Sequence, residues 1–176
     1  MLKKLLIPIA LLLFSPSQSF GEESFGYLSY MTTNIGDEIQ AIAAKRFLPE
    51  NSCPINREYL STFESDSVVH AIVNGWFMHT KRTGWERKKL PAPEKSWPPA
   101  SCIDPLLISV YFWSGFQPEA FTEEGIAYFK AHAPIGTRDL YTLDKLQEHG
   151  IPCYFSGCLT LTLDNPYKDD REEVLY

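Results

Sequence analysis

Val68-Val-His-Ala-Ile-Val73, closed by Asn74-Gly75, is the stretch that decides the fold. A short, continuous, mostly apolar run ended by a turn pair has the character of a strand buried on both faces, and such strands belong to parallel sheets. Leu106-Leu-Ile-Ser-Val-Tyr-Phe112 repeats that character, and Phe25 to Met31 is an aromatic, strand-compatible run ahead of both. Ile151 to Phe155 reads as a further strand, and Leu159-Thr-Leu-Thr-Leu163 alternates like one more.

Helical patterns separate these runs. From Asp37, the apolar residues Ile39, Ile42, Ala43 and Phe47 recur at helical spacing until Pro49, which predicts a helix with that stripe packed inward. Thr122 is placed to cap a helix that turns Ile126 and Phe129 inward. Asp139 is placed to cap another, with Leu140, Leu143 and Leu146 as its inner stripe and Gly150 as a left-handed stop. Strands alternating with helices predict an α/β, Rossmann-like layered domain with a mostly parallel sheet. Its core is expected to hold Ile39, Ile42, Phe47, Val69, Ile72, Leu107, Val110, Ile126, Leu143 and Leu146.

Composition bounds what such a domain does. The chain has 176 residues, 44% of them hydrophobic and 14% aromatic, enough for one sizeable core and too many for a disordered chain. Sixteen Lys and Arg against 22 Asp and Glu give a net charge of −6 with no basic stripe, which argues against a nucleic-acid partner. Thr80 to Ser101 interrupts the α/β pattern with a basic segment holding Pro91, Pro93, Pro98 and Pro99. That excursion reads either as a solvated surface loop or as an anion-binding lid. Trp76, Trp85 and Trp97 bracket it, and each has two fates, stacking on a sugar ring or packing in the core.

Residues 1–19 read as a secretory signal peptide: Lys3 and Lys4 precede the apolar run Leu5 to Phe14, and Ser17-Gln-Ser19 supplies small residues for cleavage. The run falls short of the roughly 20 apolar residues of a spanning helix, so a secreted or periplasmic location with no stable membrane span is expected. A single domain is expected over 20–165, with a charged tail at 166–176. Cys53, Cys102, Cys153 and Cys158 leave two alternatives open in an oxidising compartment, one or two disulfides or buried free thiols. Neither their spacing nor any clustered His suggests a metal site.

The carboxyl ends of parallel strands are where ligands bind, so the polar residues after each strand are the candidates. Asn34-Ile-Gly36-Asp37 follows the first strand and opens a helix, whose free N–H groups favour an anion or polar ligand. Asp37 reads either as a helix cap or as a carboxylate that orients or deprotonates a sugar hydroxyl. Asn74 and His79 follow the strand at Val68–Val73, Arg138 precedes a helix where it can clamp an anion or pair with an acid, and Ser156-Gly157 ends another strand. P-loop, GxGxxG, nucleophile-elbow and HExxH motifs do not occur.

Four ordered blocks, Asn34-Ile-Gly-Asp-Glu-Ile-Gln-Ala41, Val73-Asn-Gly-Trp-Phe-Met-His79, Gly136-Thr-Arg-Asp-Leu-Tyr-Thr142 and Tyr154-Phe-Ser-Gly-Cys-Leu-Thr-Leu-Thr162, resemble the polysaccharide pyruvyl transferase family over about residues 25–165. The resemblance implies one Rossmann-type lobe of a GT-B-like enzyme, the N-terminal lobe, with substrates bound between two lobes. It implies transfer of a pyruvyl group from phosphoenolpyruvate, the donor substrate, to a sugar diol as a cyclic ketal, with no further cofactor. In that picture Asp37 and His79 are the candidate catalytic residues. Asn34, Gly36, Asn74, Arg138 and Ser156 line the substrate, a glycan is the acceptor, and the partner is a separate second lobe or another copy of the chain. The alternative is a secreted half-domain that binds glycan without catalysis.

Overall fold

Six strands, all parallel, make one sheet in the order β2-β1-β3-β4-β5-β6 in a computed structural model that describes residues 23–78 and 97–164. The strands are β1 (Ser24–Ser29), β2 (Cys53–Asn56), β3 (Val69–Phe77), β4 (Ile103–Phe112), β5 (Ile135–Thr137) and β6 (Cys153–Phe155). Helices α1 (Ile35–Lys45), α2 (Gln117–Ala120), α3 (Glu123–Ala131) and α4 (Leu140–Glu148) connect them. The α/β Rossmann-like class is as the periodicity predicts, and the sheet is wholly parallel. Residues 1–19, read as a signal peptide, lie outside the described residues, as do His79, Trp85 and the 166–176 tail. Among the described residues, no helix is long and apolar enough to cross a membrane.

The strand order fixes where the helices go. Right-handed crossovers that step one way from β3 to β6 put α2, α3 and α4 on one face, while the step from β1 to β2 runs the other way and puts α1 on the opposite face. The first face carries the core. Val69, Val73, Phe77, Leu107, Val110 and Phe112 meet Ala120 of α2, Phe129 of α3 and Leu146 of α4. Trp97 is completely buried at its centre, in contact with Phe77, Phe112, Phe116 and Phe129 at ring separations of 5.1–5.9 Å. Of its two predicted fates this tryptophan takes core packing.

Thr122 caps α3 and Asp139 caps α4 as the sequence predicts, each side chain accepting a backbone N–H three residues on, and Gly150 ends α4 at φ +63°. Four expectations need correction. Asn34, not Asp37, caps α1, accepting from the Gly36 N–H at 3.0 Å. Of the stripe expected to pack inward on α1 only Ala43 does so: Ile39, Ile42 and Phe47 are 37%, 56% and 57% exposed, and the buried face is made by Asp37, Gln40, Ala41, Ala43 and Ala44. Leu140 of α4 is likewise exposed and Leu143 half-buried, leaving Leu146 as the buried anchor. Leu159–Thr162, read as a strand, is a 3-10 turn that packs beside α1. All four cysteines are free and half-buried.

Candidate functional site

The chain leaves β1 toward β2 and then returns across it to β3, so the strand order reverses between β1 and β3. The carboxyl ends of those two strands mark the topological switch point, the position where open α/β sheets bind ligands. Local irregularity re-aims polar side chains near it. The register between β3 and β4 breaks between Val73 and Gly75, where Gly75 takes φ +101° and Ser109, on the facing strand, takes φ +57°. A bulge re-aims the side chains beside it. Asn74 is thereby directed at α1 and Ser109 at the turn after β6: Asn74 Nδ2 donates to Gln40 O and Oε1 at 3.1 and 3.3 Å, and the Leu159 N–H donates to Ser109 Oγ at 2.7 Å.

Asp37 sits in the first turn of α1 rather than at its cap and is 3% exposed. Its carboxylate is engaged on both oxygens, by the Thr32 hydroxyl at 2.7 Å and by Arg57 Nη1 at 3.4 Å. Arg57, itself 6% exposed, also donates to Trp76 O at 2.9 Å and to Glu58 Oε1 at 2.6 and 2.8 Å. Its guanidinium lies 4.6 Å from the centre of the Tyr30 ring. Burial pushes the Tyr30 phenol well above its ordinary range against the opposing Arg57 charge, so its hydroxyl stays a donor, here to Asn74 O at 3.4 Å. Asp37 is therefore held between Thr32 and Arg57 with both carboxylate oxygens engaged.

Arg138 begins the β5–α4 connection, where its backbone N–H donates to Val110 O at 3.1 Å. Its guanidinium lies 5.3 Å from the Tyr111 ring centre, and Tyr111 in turn packs on Trp76 at 6.0 Å. Among the described residues it forms no ion pair, which leaves its charge available to a ligand. It is close enough to act electrostatically on both Tyr30 and the Cys158 thiol. Ser156 is spent on structure: its hydroxyl donates to Thr137 O at 3.0 Å and accepts the Ser109 N–H at 3.1 Å.

The fold thus joins Asn34, Gly36 and Asp37 at the α1 N-terminus with Asn74 and with the Arg138 and Ser156 loops along one sheet edge. His79 lies outside the described residues. The sequence reading missed Tyr30, Gln40 and Arg57. Gln40 carried a signal, a polar residue on what proves to be the buried face of α1, whereas Arg57 follows β2, a strand too short and too Pro-interrupted to be seen. Among the described residues, no group of three or more His, Cys, Asp or Glu is placed to hold a metal ion. No protein-family model, curated protein or solved structure matches this chain.

Proposed function

We propose that this domain is the acceptor-binding lobe of a pyruvyl-transferase-type enzyme, which holds a sugar diol for ketal formation with the pyruvyl group of phosphoenolpyruvate. One observation carries the reading. The four sequence blocks that resemble the family are distant in the chain, yet they meet in a single network at the switch point. Asn74 bonds Gln40, Gln40 bonds Cys158, Ser156 bonds Thr137, and Arg138 acts on Cys158. Parallel topology alone brings the ends of the strands to this edge, and the side-chain bonds that link the blocks across it are what support the reading.

In this reading Arg138 supplies positive charge for a carboxylate or phosphate at the switch point. The half-buried Trp76 and Tyr111 offer aromatic faces to a pyranose ring. Asn34 and Gly36 present the α1 N-terminus, and Asp37, tied to Arg57, orients the acceptor through Thr32. His79 is the candidate acid or base for the proton transfers. The exported location and a second lobe or second copy as partner belong to the same proposal.

Calorimetric titration of the purified chain tests it. Saturable binding of pyranosides with a free diol is expected, with phosphoenolpyruvate binding weakened about tenfold by Arg138→Gln, the loss of one charge-assisted contact. The chain alone is expected to release no phosphate from phosphoenolpyruvate, because the resemblance assigns most of the anion clamp to the other lobe. Absence of any saturation by pyranosides to about 10 mM, weaker than a single good subsite, overturns the reading.

A further inference from the structure

At the amino end of β4, beside Ile103 and away from the carboxyl edge that carries Asn34, Asp37, Asn74 and Arg138, the fold forms a cleft of about 760 Å³. Small-molecule sites usually measure roughly 300–1,000 Å³. One wall is the face of α3 made by Ala127, Tyr128 and Ala131 with the cap residue His132, and the other includes Pro98 and Pro99. Both walls are fixed without a ligand. The Ala100 N–H donates to Leu60 O at 2.9 Å, the Ile103 N–H to Ala100 O at 2.9 Å and the Val69 N–H to Cys102 O at 2.8 Å, which ties the 98–102 segment to its neighbours. Helix α3 is anchored by Phe129, completely buried and 5.1 Å from the Trp97 ring. Ala127 and Ala131, about one helical turn apart, leave the space between the walls unfilled.

The polar chemistry of the cleft centres on His132. Its Nδ1 lies 2.9 Å from Tyr128 O, and its ring centre lies 4.2 Å from that of Tyr128. A carbonyl only accepts, so Nδ1 carries the proton in this bond, and in the neutral imidazole Nε2 is left as an acceptor. That nitrogen has no partner among the described residues. The Tyr128 ring is already packed by His132 and by Trp97 at 5.7 Å, which disfavours it as a stacking platform for a sugar. Among the described residues that line the cleft none is Lys or Arg, and Glu124 is acidic, so an anion finds no counter-charge there. What the walls offer is mostly carbon with one oriented acceptor.

We propose that this cleft binds a small, uncharged aromatic molecule bearing one O–H or N–H donor, its ring held between α3 and the Pro98-Pro99 wall and its donor on His132 Nε2.

Phenol is the probe, toluene the isostere without a donor, and benzoate the anionic control. Each is titrated into the folded full chain while the resonances of Ala127, Ala131 and His132 are followed by nuclear magnetic resonance. Saturable shifts centred on the cleft are expected, with phenol binding about fivefold tighter than toluene, the worth of one neutral hydrogen bond, and benzoate weaker than both. His132→Phe keeps a ring beside Tyr128 and is expected to bring phenol down to the level of toluene. Ala131→Phe is expected to abolish binding of both, with circular dichroism confirming that each variant is folded. Phenol no tighter than toluene, benzoate tighter than phenol, shifts centred outside the cleft, or unchanged phenol binding in folded Ala131→Phe each overturns the proposal. Where a variant does not fold, the comparison of the three probes on the parent chain decides alone. No sugar or phosphoenolpyruvate enters the test, so its outcome is independent of the transferase reading.

Discussion

Replacing Arg57 by Met removes the cation from a pair in which each side chain is only 4% exposed. Asp37 is then left buried with the Thr32 hydroxyl as its one partner, and Trp76 O and Glu58 lose their donors. Breaking a buried pair from one side costs about 3–5 kcal/mol, chiefly the penalty of the stranded charge. Asp37→Asn is not the mirror image. Arg57 keeps Glu58 at 2.6 Å and Trp76 O at 2.9 Å, so its charge stays satisfied, and the loss falls to about 1–2 kcal/mol, near that of one charge-assisted hydrogen bond. The double variant no longer strands the Asp37 charge and should recover about 1–3 kcal/mol relative to the sum of the two single losses. Urea unfolding followed by tryptophan fluorescence reads these differences. With a slope of about 1–3 kcal/mol per molar, Arg57→Met lowers the midpoint by at least about 1 M. An Asp37→Asn loss equal to that of Arg57→Met, or losses below about 1 kcal/mol for both, would refute the asymmetry and the claim that Arg57 organises this edge.

Two further variants probe the same region. Gly75→Ala forces a side chain onto φ +101° with its Cβ 2.7 Å from Tyr30 Oη, and is expected to cost about 1–3 kcal/mol in the same unfolding assay. Ile42→Ser, on the outward face of α1 at 56% exposure, is expected to change stability by no more than about 0.5 kcal/mol and to reduce concentration-dependent association in sedimentation velocity.

How far the sequence spoke for the structure differs between the strands and α1, for a physical reason. A strand buried on both faces, as β3 is, declares itself by being apolar throughout, and β4 shares that apolar character although Asp104 and Leu106 are exposed, so both were legible and the parallel sheet followed. Helix α1 is also amphipathic, but the surface it meets is not an apolar one. Above Asn74 the sheet offers a polar side chain that must be satisfied, so Gln40 faces inward, and Ala41, Ala43 and Ala44 allow the close approach that puts the Gln40 carbonyl 3.1 Å from Asn74 Nδ2. Periodicity counts where apolar residues fall and carries no information about the surface opposite. It therefore turned the helix the wrong way, with Ile39, Ile42 and Phe47 inside. The same logic explains the site. Asn34, Asp37, Asn74 and Arg138 stand out because each follows a legible strand or opens a helix. Arg57 does not, because β2 is an edge strand of four residues containing Pro54, and nothing local marks the residue after it. Only the parallel pairing of β2 with β1, register Ser29 to Asn56, brings Arg57 to the carboxyl edge beside β1. A residue chosen by long-range register is invisible to any reading that moves along the chain. The partner that restrains the predicted carboxylate Asp37 was for that reason the one charged group of the site that only the folded sheet could reveal.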